Sequence, residues 1–188
     1  SLLFSSNLYW FYSFQEYGAD SALIKPFLHT WSLAIEEQYY IVFPLVLFAI
    51  FKFARRYMAA ILLFMFVASL LLAQWLTARD LSMSFYMMPT RLWELLAGSM
   101  LALFILDRPL STTGSQWQRW MPSLGVLLII ASLISVGYDS HHPGYVTLFP
   151  VLGTILIISF TRDEDWVIRT LSRPSVVYLG LLSYSLYL

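Results

Sequence analysis

The sequence predicts an all-α fold, a polytopic transmembrane helix bundle, and three observations predict it. Of 188 residues, 59% are hydrophobic and only 12% charged, with a mean hydropathy of +0.70. A soluble globular domain carries about 25% charged residues. The apolar residues are gathered into runs of the length a bilayer requires, about 20 residues of helix for a hydrocarbon core of about 30 Å. The polar connections between those runs alternate in basic charge. Eleven Lys+Arg stand against eleven Asp+Glu, so there is no cationic surplus for nucleic acid, which is not an expected partner. The absence of cysteine excludes disulfides, thiolate metal sites and a cysteine nucleophile in this chain.

Five complete spans are expected, with truncated spans at both ends. Residues 1–14 read as the end of one helix. The first complete span is 33–54, bounded by Glu36 and Glu37 on one side and Lys52 on the other. The second, 57–78, is 22 residues without a charge. The third, 89–106, is apolar except for Arg91 and Glu94. The fourth is 120–137. The fifth, 145–160, is short and interrupted by Pro150 and Gly153. Residues 175–188 read as the start of a further helix. The chain begins without an initiator Met and stops inside an apolar run, and no signal peptide is visible. Residues 1–188 are therefore read as the central part of a larger membrane domain.

The connections fix an orientation. Lys52 to Arg56 carries three basic residues, 107–119 two and 161–173 three. The intervening connections carry only Arg79, with Lys25 in the long first loop. Lys and Arg concentrate on the cytoplasmic side of membrane proteins. Residues 16–37, 79–88 and 138–144 are thus expected to face outward, from the cytoplasmic (inner) membrane of a bacterium. Aromatic residues gather at these outer ends: Tyr9 to Tyr12, Tyr39, Tyr40, Phe85 and Tyr86. They read either as an interfacial belt or as a carbohydrate-stacking platform. Ser111 to Gln118 is a polar loop.

The densest polar grouping runs from His29 through Thr30, Trp31, Ser32, Glu36, Glu37, Gln38, Tyr39 and Tyr40 straight into apolar 41–51. In a helix, His29, Ser32, Glu36 and Tyr40 share one face, while Glu37 lies about 100° round. Carboxylates entering lipid are costly unless solvated or paired. The plainer account is that Glu36 and Glu37 sit in a first helical turn favoured by the helix dipole. The functional account is that the His–Ser–Glu face positions a hydroxyl for proton transfer. Arg91 and Glu94, three apart, can pair on one face at the same depth, either as a self-neutralising anchor or as part of an ionic cluster with Glu36 or Glu37. Gly98 and Ser99 are expected to let another helix approach. His141 and His142 read as solvated loop residues without the further ligands a metal needs, and no metal site is expected.

At this point the motifs resemble a known family. Phe27–Leu28–His29–Thr30–Trp31–Ser32–Leu33–Ala34–Ile35–Glu36–Glu37–Gln38–Tyr39–Tyr40, followed by an aliphatic run with Pro44, closely resembles the signature of acyltransferase family 3, integral-membrane O-acyltransferases of the O-antigen acetylase type. The signature region is 26–44. Ser6–Asn7–Leu8–Tyr9–Trp10 fits the approach to it, Thr90 to Gly98 is similar to the family's mid-domain helix, and Gly180 to Leu188 to the segment that continues into Trp-His. The resemblance implies transfer of an acyl group from acyl-CoA, usually acetyl-CoA, to a hydroxyl of an exported carbohydrate or glycolipid at the bilayer. It also implies that a longer parent can carry an extra-membrane esterase-like domain. The family's N-terminal His, preceded by an Arg or Lys, lies outside these residues, and His29 does not take its place.

The candidate catalytic residues are Glu36, as a proton-accepting or acceptor-orienting carboxylate, and His29. Trp31, Ser32, Glu37, Tyr40, Arg91 and Glu94 are the candidate substrate-binding residues. A transporter or flippase of a polar lipid or sugar is the alternative from another class, because charges within spans and Pro/Gly-broken helices suit it too.

Overall fold

The computed structural model describes residues 4–13, 27–107, 116–135, 144–162 and 165–187. Most of the first outward loop with Lys25, the loop around 108–115, the 136–143 connection with His141 and His142, and residues 1–3, 163–164 and 188 lie outside the described residues. Among the described residues there is helix, turn and irregular chain, and no strand.

The helices are α1 (Ser6–Ser13), α2 (Thr30–Ala54), α3 (Met58–Thr77), α4 (Leu81–Tyr86), α5 (Met88–Asp107), α6 (Met121–Ser135), α7 (Leu148–Phe160), α8 (Trp166–Leu171) and α9 (Pro174–Tyr187). Among the described residues, three stretches are long and apolar enough to cross a membrane: Thr30–Thr77, Met88–Leu106 and Trp117–Ser135. The first, at 48 residues, is more than twice what one crossing needs. It is divided at Ala54, whose φ of −145° and ψ of 32° leave the helical region, and at the 3₁₀ turn Arg55–Tyr57. Tyr145–Phe160 and Pro174–Ser183 are apolar but shorter. Exposed Leu45, Phe48, Phe53, Phe64 and Leu71 along α2 and α3 are what lipid-facing helices present. This is an integral membrane, all-α protein.

The chain divides into two compact units, the break falling within α5 after Leu96. The first contains α1 to α4 and the opening turns of α5. Its α3 buries Leu62, Ser69, Ala73 and Leu76, a row at spacings of seven, four and three that forms one helix face. In lipid the hydrophobic effect does not drive helices together, so hydrogen bonds and close packing do, and this unit shows both. Asn7, 1% exposed, donates from Nδ2 to the Tyr86 carbonyl (3.0 Å), and its Oδ1 accepts from Gln38 Nε2 (2.9 Å). Ser6 Oγ donates to the Thr30 carbonyl (2.8 Å). One turn of α1 is thereby bonded to α2 and to the end of α4. Asp80 caps α4 by accepting from the Met83 N–H (2.9 Å). The buried Thr77 and Ser84 hydroxyls meet at 2.7 Å, tying α4 to α3.

In the second unit α6 and α7 form a tight pair. A Cβ built on Gly125 would stand 2.6 Å from the Gly153 carbonyl oxygen, and one on Gly153 2.6 Å from that of Gly125. Nothing larger than hydrogen fits at either position. Gly98, expected to admit a neighbour, has nothing among the described residues within 4 Å of a built Cβ. The close approach predicted there occurs at Gly125 and Gly153 instead.

Candidate active site

The site is assembled in the first unit from α2, the end of α4 and the first turns of α5. A small open cavity of about 70 Å³ is lined by Trp31, Ser32, Ile35, Glu36, Arg91, Glu94 and Leu95. Trp31, Ser32, Ile35 and Glu36 follow one another on one face of α2. Arg91, Glu94 and Leu95 do the same on α5.

Arg91 is held on three sides. Its Nε and Nη2 both donate to Glu94 Oε2, at 3.1 and 2.8 Å. Its guanidinium lies 5.3 Å from the ring centre of Trp31 and 5.8 Å from that of Phe85, within cation–π range. The rings are themselves packed: Trp31 stands 4.4 Å from Phe85 and 5.6 Å from Tyr86, the latter edge-to-face. Behind them lies the buried cluster of Trp10, Phe11 and Tyr86. Burial pushes the Tyr86 phenol up from its ordinary 10.0, so it stays neutral across the physiological range. Glu94 Oε1 is buried with no hydrogen-bond partner among the described residues. That wall of the cavity therefore carries an unmet demand for a donor, of a kind that costs about 1–3 kcal/mol or more.

Of the residues singled out from sequence, Glu36, Trp31, Ser32, Arg91 and Glu94 come together around this cavity. His29, Glu37 and Tyr40 do not line it. His29 is the N-terminal flank of α2, exposed, with its carbonyl accepting from Ser32 Oγ at 3.3 Å. Tyr40 is 63% exposed. The expected first-turn placement of the carboxylates is corrected: α2 begins at Thr30 and holds no acidic residue in its first turn, so the dipole, which acts within that turn, does not account for Glu36 and Glu37. Arg91 pairs with Glu94 and not with Glu36, which shares the cavity without an ion pair among the described residues.

Sequence reasoning did not single out Ile35, Leu95 or Phe85 as site residues. It read the aromatic cluster as belt or platform, and the cluster divides. Tyr9, Tyr12 and Tyr40 are exposed as a belt requires, whereas Trp10, Phe11, Tyr39 and Tyr86 are buried. Asn7, a lone amide in an apolar run, was the available signal that α1 is anchored, since such a group is buried only when bonded.

The comparisons with known proteins bear on this geometry. A family model described as an acyltransferase domain, of the type-3 family, matches residues 1–188. The chain belongs to acyltransferase family 3. Among similar proteins, "Putative membrane-bound transacylase BcsY" of Komagataeibacter xylinus is 28% identical over 190 residues, covering all of this chain and 46% of that protein. A "Putative O-acetyltransferase" of Staphylococcus aureus (strain COL) is 30% identical over 173 residues, 87% of this chain and 29% of that one. An uncharacterized protein of Haemophilus influenzae is 30% identical over 173 residues, 88% of this chain and 70% of its own length. The chain thus spans less than half of the first two. No solved structure matches it.

Proposed function

We propose that this chain forms the acceptor side of a membrane-embedded O-acyltransferase, which moves an acyl group originating from acyl-CoA, acetyl-CoA above all, to a hydroxyl of an exported glycan or envelope glycolipid. The observation that carries this reading is the convergence of a carboxylate, an Arg–Glu pair and an indole ring on one small cavity in a chain of this family. Its volume, about 70 Å³, equals the liquid share of about two waters. It suits the reacting end of a substrate.

Hydroxyl acylation needs a base for the attacking oxygen and a positive partner for the carbonyl oxygen as charge develops. Glu36, without an ion pair among the described residues, takes the hydroxyl proton as that oxygen bonds to the acyl carbon and the bond from that carbon to its carrier breaks. Arg91, fixed by Glu94 and two rings, faces the developing oxyanion. Glu94 Oε1 accepts from a neighbouring hydroxyl of the acceptor, and Trp31 offers a sugar its ring face. Ser32 lines the same wall, while His29, Glu37 and Tyr40 belong to the outward approach rather than to the reacting atoms. The site faces out of the bacterial cytoplasmic membrane.

The test uses the full-length parent expressed with and without Glu36→Gln, and reads alkali-released acetate from purified envelope glycans at equal protein level. Loss of a general base lowers rates by about 10²–10⁴-fold, so ester acetate should fall to background. Wild-type acetate from the variant removes Glu36 from the chemistry.

A further inference from the structure

Ser69 sits on α3, far from Arg91 in sequence and away from the cavity lining. It is 5% exposed, in the middle of a largely apolar helix whose other polar side chains, Gln74 and Thr77, lie in its last turn. Its hydroxyl donates to the Pro89 carbonyl (2.5 Å) and accepts the Trp93 N–H (3.0 Å). Those two backbone groups are the i and i+4 partners that an α-helix joins to each other. A side chain of one helix thus bridges the backbone ladder of another, a known cause of altered helix pitch. The bridged turn spans 89–93, with Arg91 at its middle and Glu94 immediately after. The opposite edge of the same turn is held by Thr90, 1% exposed, whose Oγ1 lies 2.7 Å from the carbonyls of both Ser84 and Met87. Trp93, fully buried, packs edge-to-face on Phe66 of α3 at 6.0 Å, so α3 grips this turn at two points.

We propose that Ser69 is a positioning residue for the Arg91–Glu94 pair: its hydroxyl sets the pitch of the first turn of α5 and so aims both side chains into the cavity. Without it, Pro89 and Trp93 have only each other, the turn closes by a fraction of an ångström, and the guanidinium rotates against Trp31 and Phe85. Displacements of about 1 Å remote from the chemistry can cost 10²-fold in rate. The catalytic consequence rests on the acyltransferase reading. The geometric one does not.

The experiment keeps the two apart. In the purified full-length parent, with any cysteine outside these residues replaced by serine, a single cysteine is placed in the cavity wall by Leu95→Cys, and its rate of alkylation by N-ethylmaleimide is measured with Ser69, Ser69→Ala and Ser69→Thr. The same three Ser69 states, with Leu95 intact, are assayed for alkali-released acetate. Ser69→Ala is expected to change the alkylation rate of the folded protein several-fold and to lower acetate. Ser69→Thr, which restores the hydroxyl, is expected to return both towards the parent. A fold-stabilising role alone would reduce the yield of protein and leave the rate constant of the folded fraction unchanged. Equal rate constants in all three, or a threonine variant that behaves as the alanine one, overturn the proposal. If the unaltered parent makes no ester, the acyltransferase reading falls while the alkylation rates still decide the role of Ser69.

Discussion

At the level of single residues, the site depends on the shape of Arg91 as much as on its charge. Two N–H groups reach one carboxylate oxygen while the flat face lies near two rings, and only a guanidinium does both. Arg91→Lys keeps the charge, loses the fork and the stacking, and leaves Glu94 with a partner that cannot donate twice in plane. Ester acetate from cells carrying Arg91→Lys should fall at least about tenfold, the scale of one lost charge-assisted hydrogen bond of about 1.5–3 kcal/mol. Retention of full activity would mean that charge alone suffices. The sequence disclosed the Arg91–Glu94 pair because a three-residue spacing in a helix is decisive. It left open which face of α2 meets that pair, because His29, Ser32, Glu36 and Tyr40 share a stripe and only a neighbouring helix can select the Ser32–Glu36 part of it.

Among the elements, apolar run length proved a reliable guide. The expected 33–54, 57–78, 89–106, 120–137 and 145–160 correspond to α2, α3, α5, α6 and α7 with shifts of a few residues at the ends, although 136–137 lie outside the described residues and α7 is shorter than a full crossing needs. The short α4 and α8 were not readable, because six residues between spans give no period to detect. Interhelical glycine contacts were also hidden, since a glycine in an apolar run looks the same whether or not a partner backbone touches it. Gly125→Ala puts a methyl 2.6 Å from a carbonyl oxygen of α7, and overpacking of this kind costs about 1–3 kcal/mol. Gly98→Ala meets open space among the described residues and gains about 0.8–1.0 kcal/mol of helix propensity. Thermal unfolding in detergent should therefore show a lowered midpoint for the first and an unchanged or raised one for the second. Equal midpoints would mean that α6 and α7 separate at little cost.

Over the whole molecule, sidedness decides which acceptors Glu36 meets, because acceptors already exported reach it only if its end of α2 opens outward. The charge pattern supports that placement: eight Lys and Arg lie in alternate connections, against Arg79 and Lys25 in the others. Lys52, Arg55 and Arg56 sit exposed at the C-terminal end of α2, the opposite end from Glu36. Arg79, just past the C-terminal end of α3, lies 4.2 Å from the ring of Trp75, within cation–π range. The chain has no cysteine, so single serine-to-cysteine changes report side without disturbing packing. Ser82 on α4 and Ser172 after α8 are both exposed and lie in connections of opposite parity. A membrane-impermeant maleimide applied to spheroplasts should modify Ser82→Cys at once and Ser172→Cys only after permeabilisation. The reverse pattern would put the cavity on the cytoplasmic face. Glu36 would then meet acceptors before export, and an acyl group from cytoplasmic acyl-CoA would have no membrane to cross.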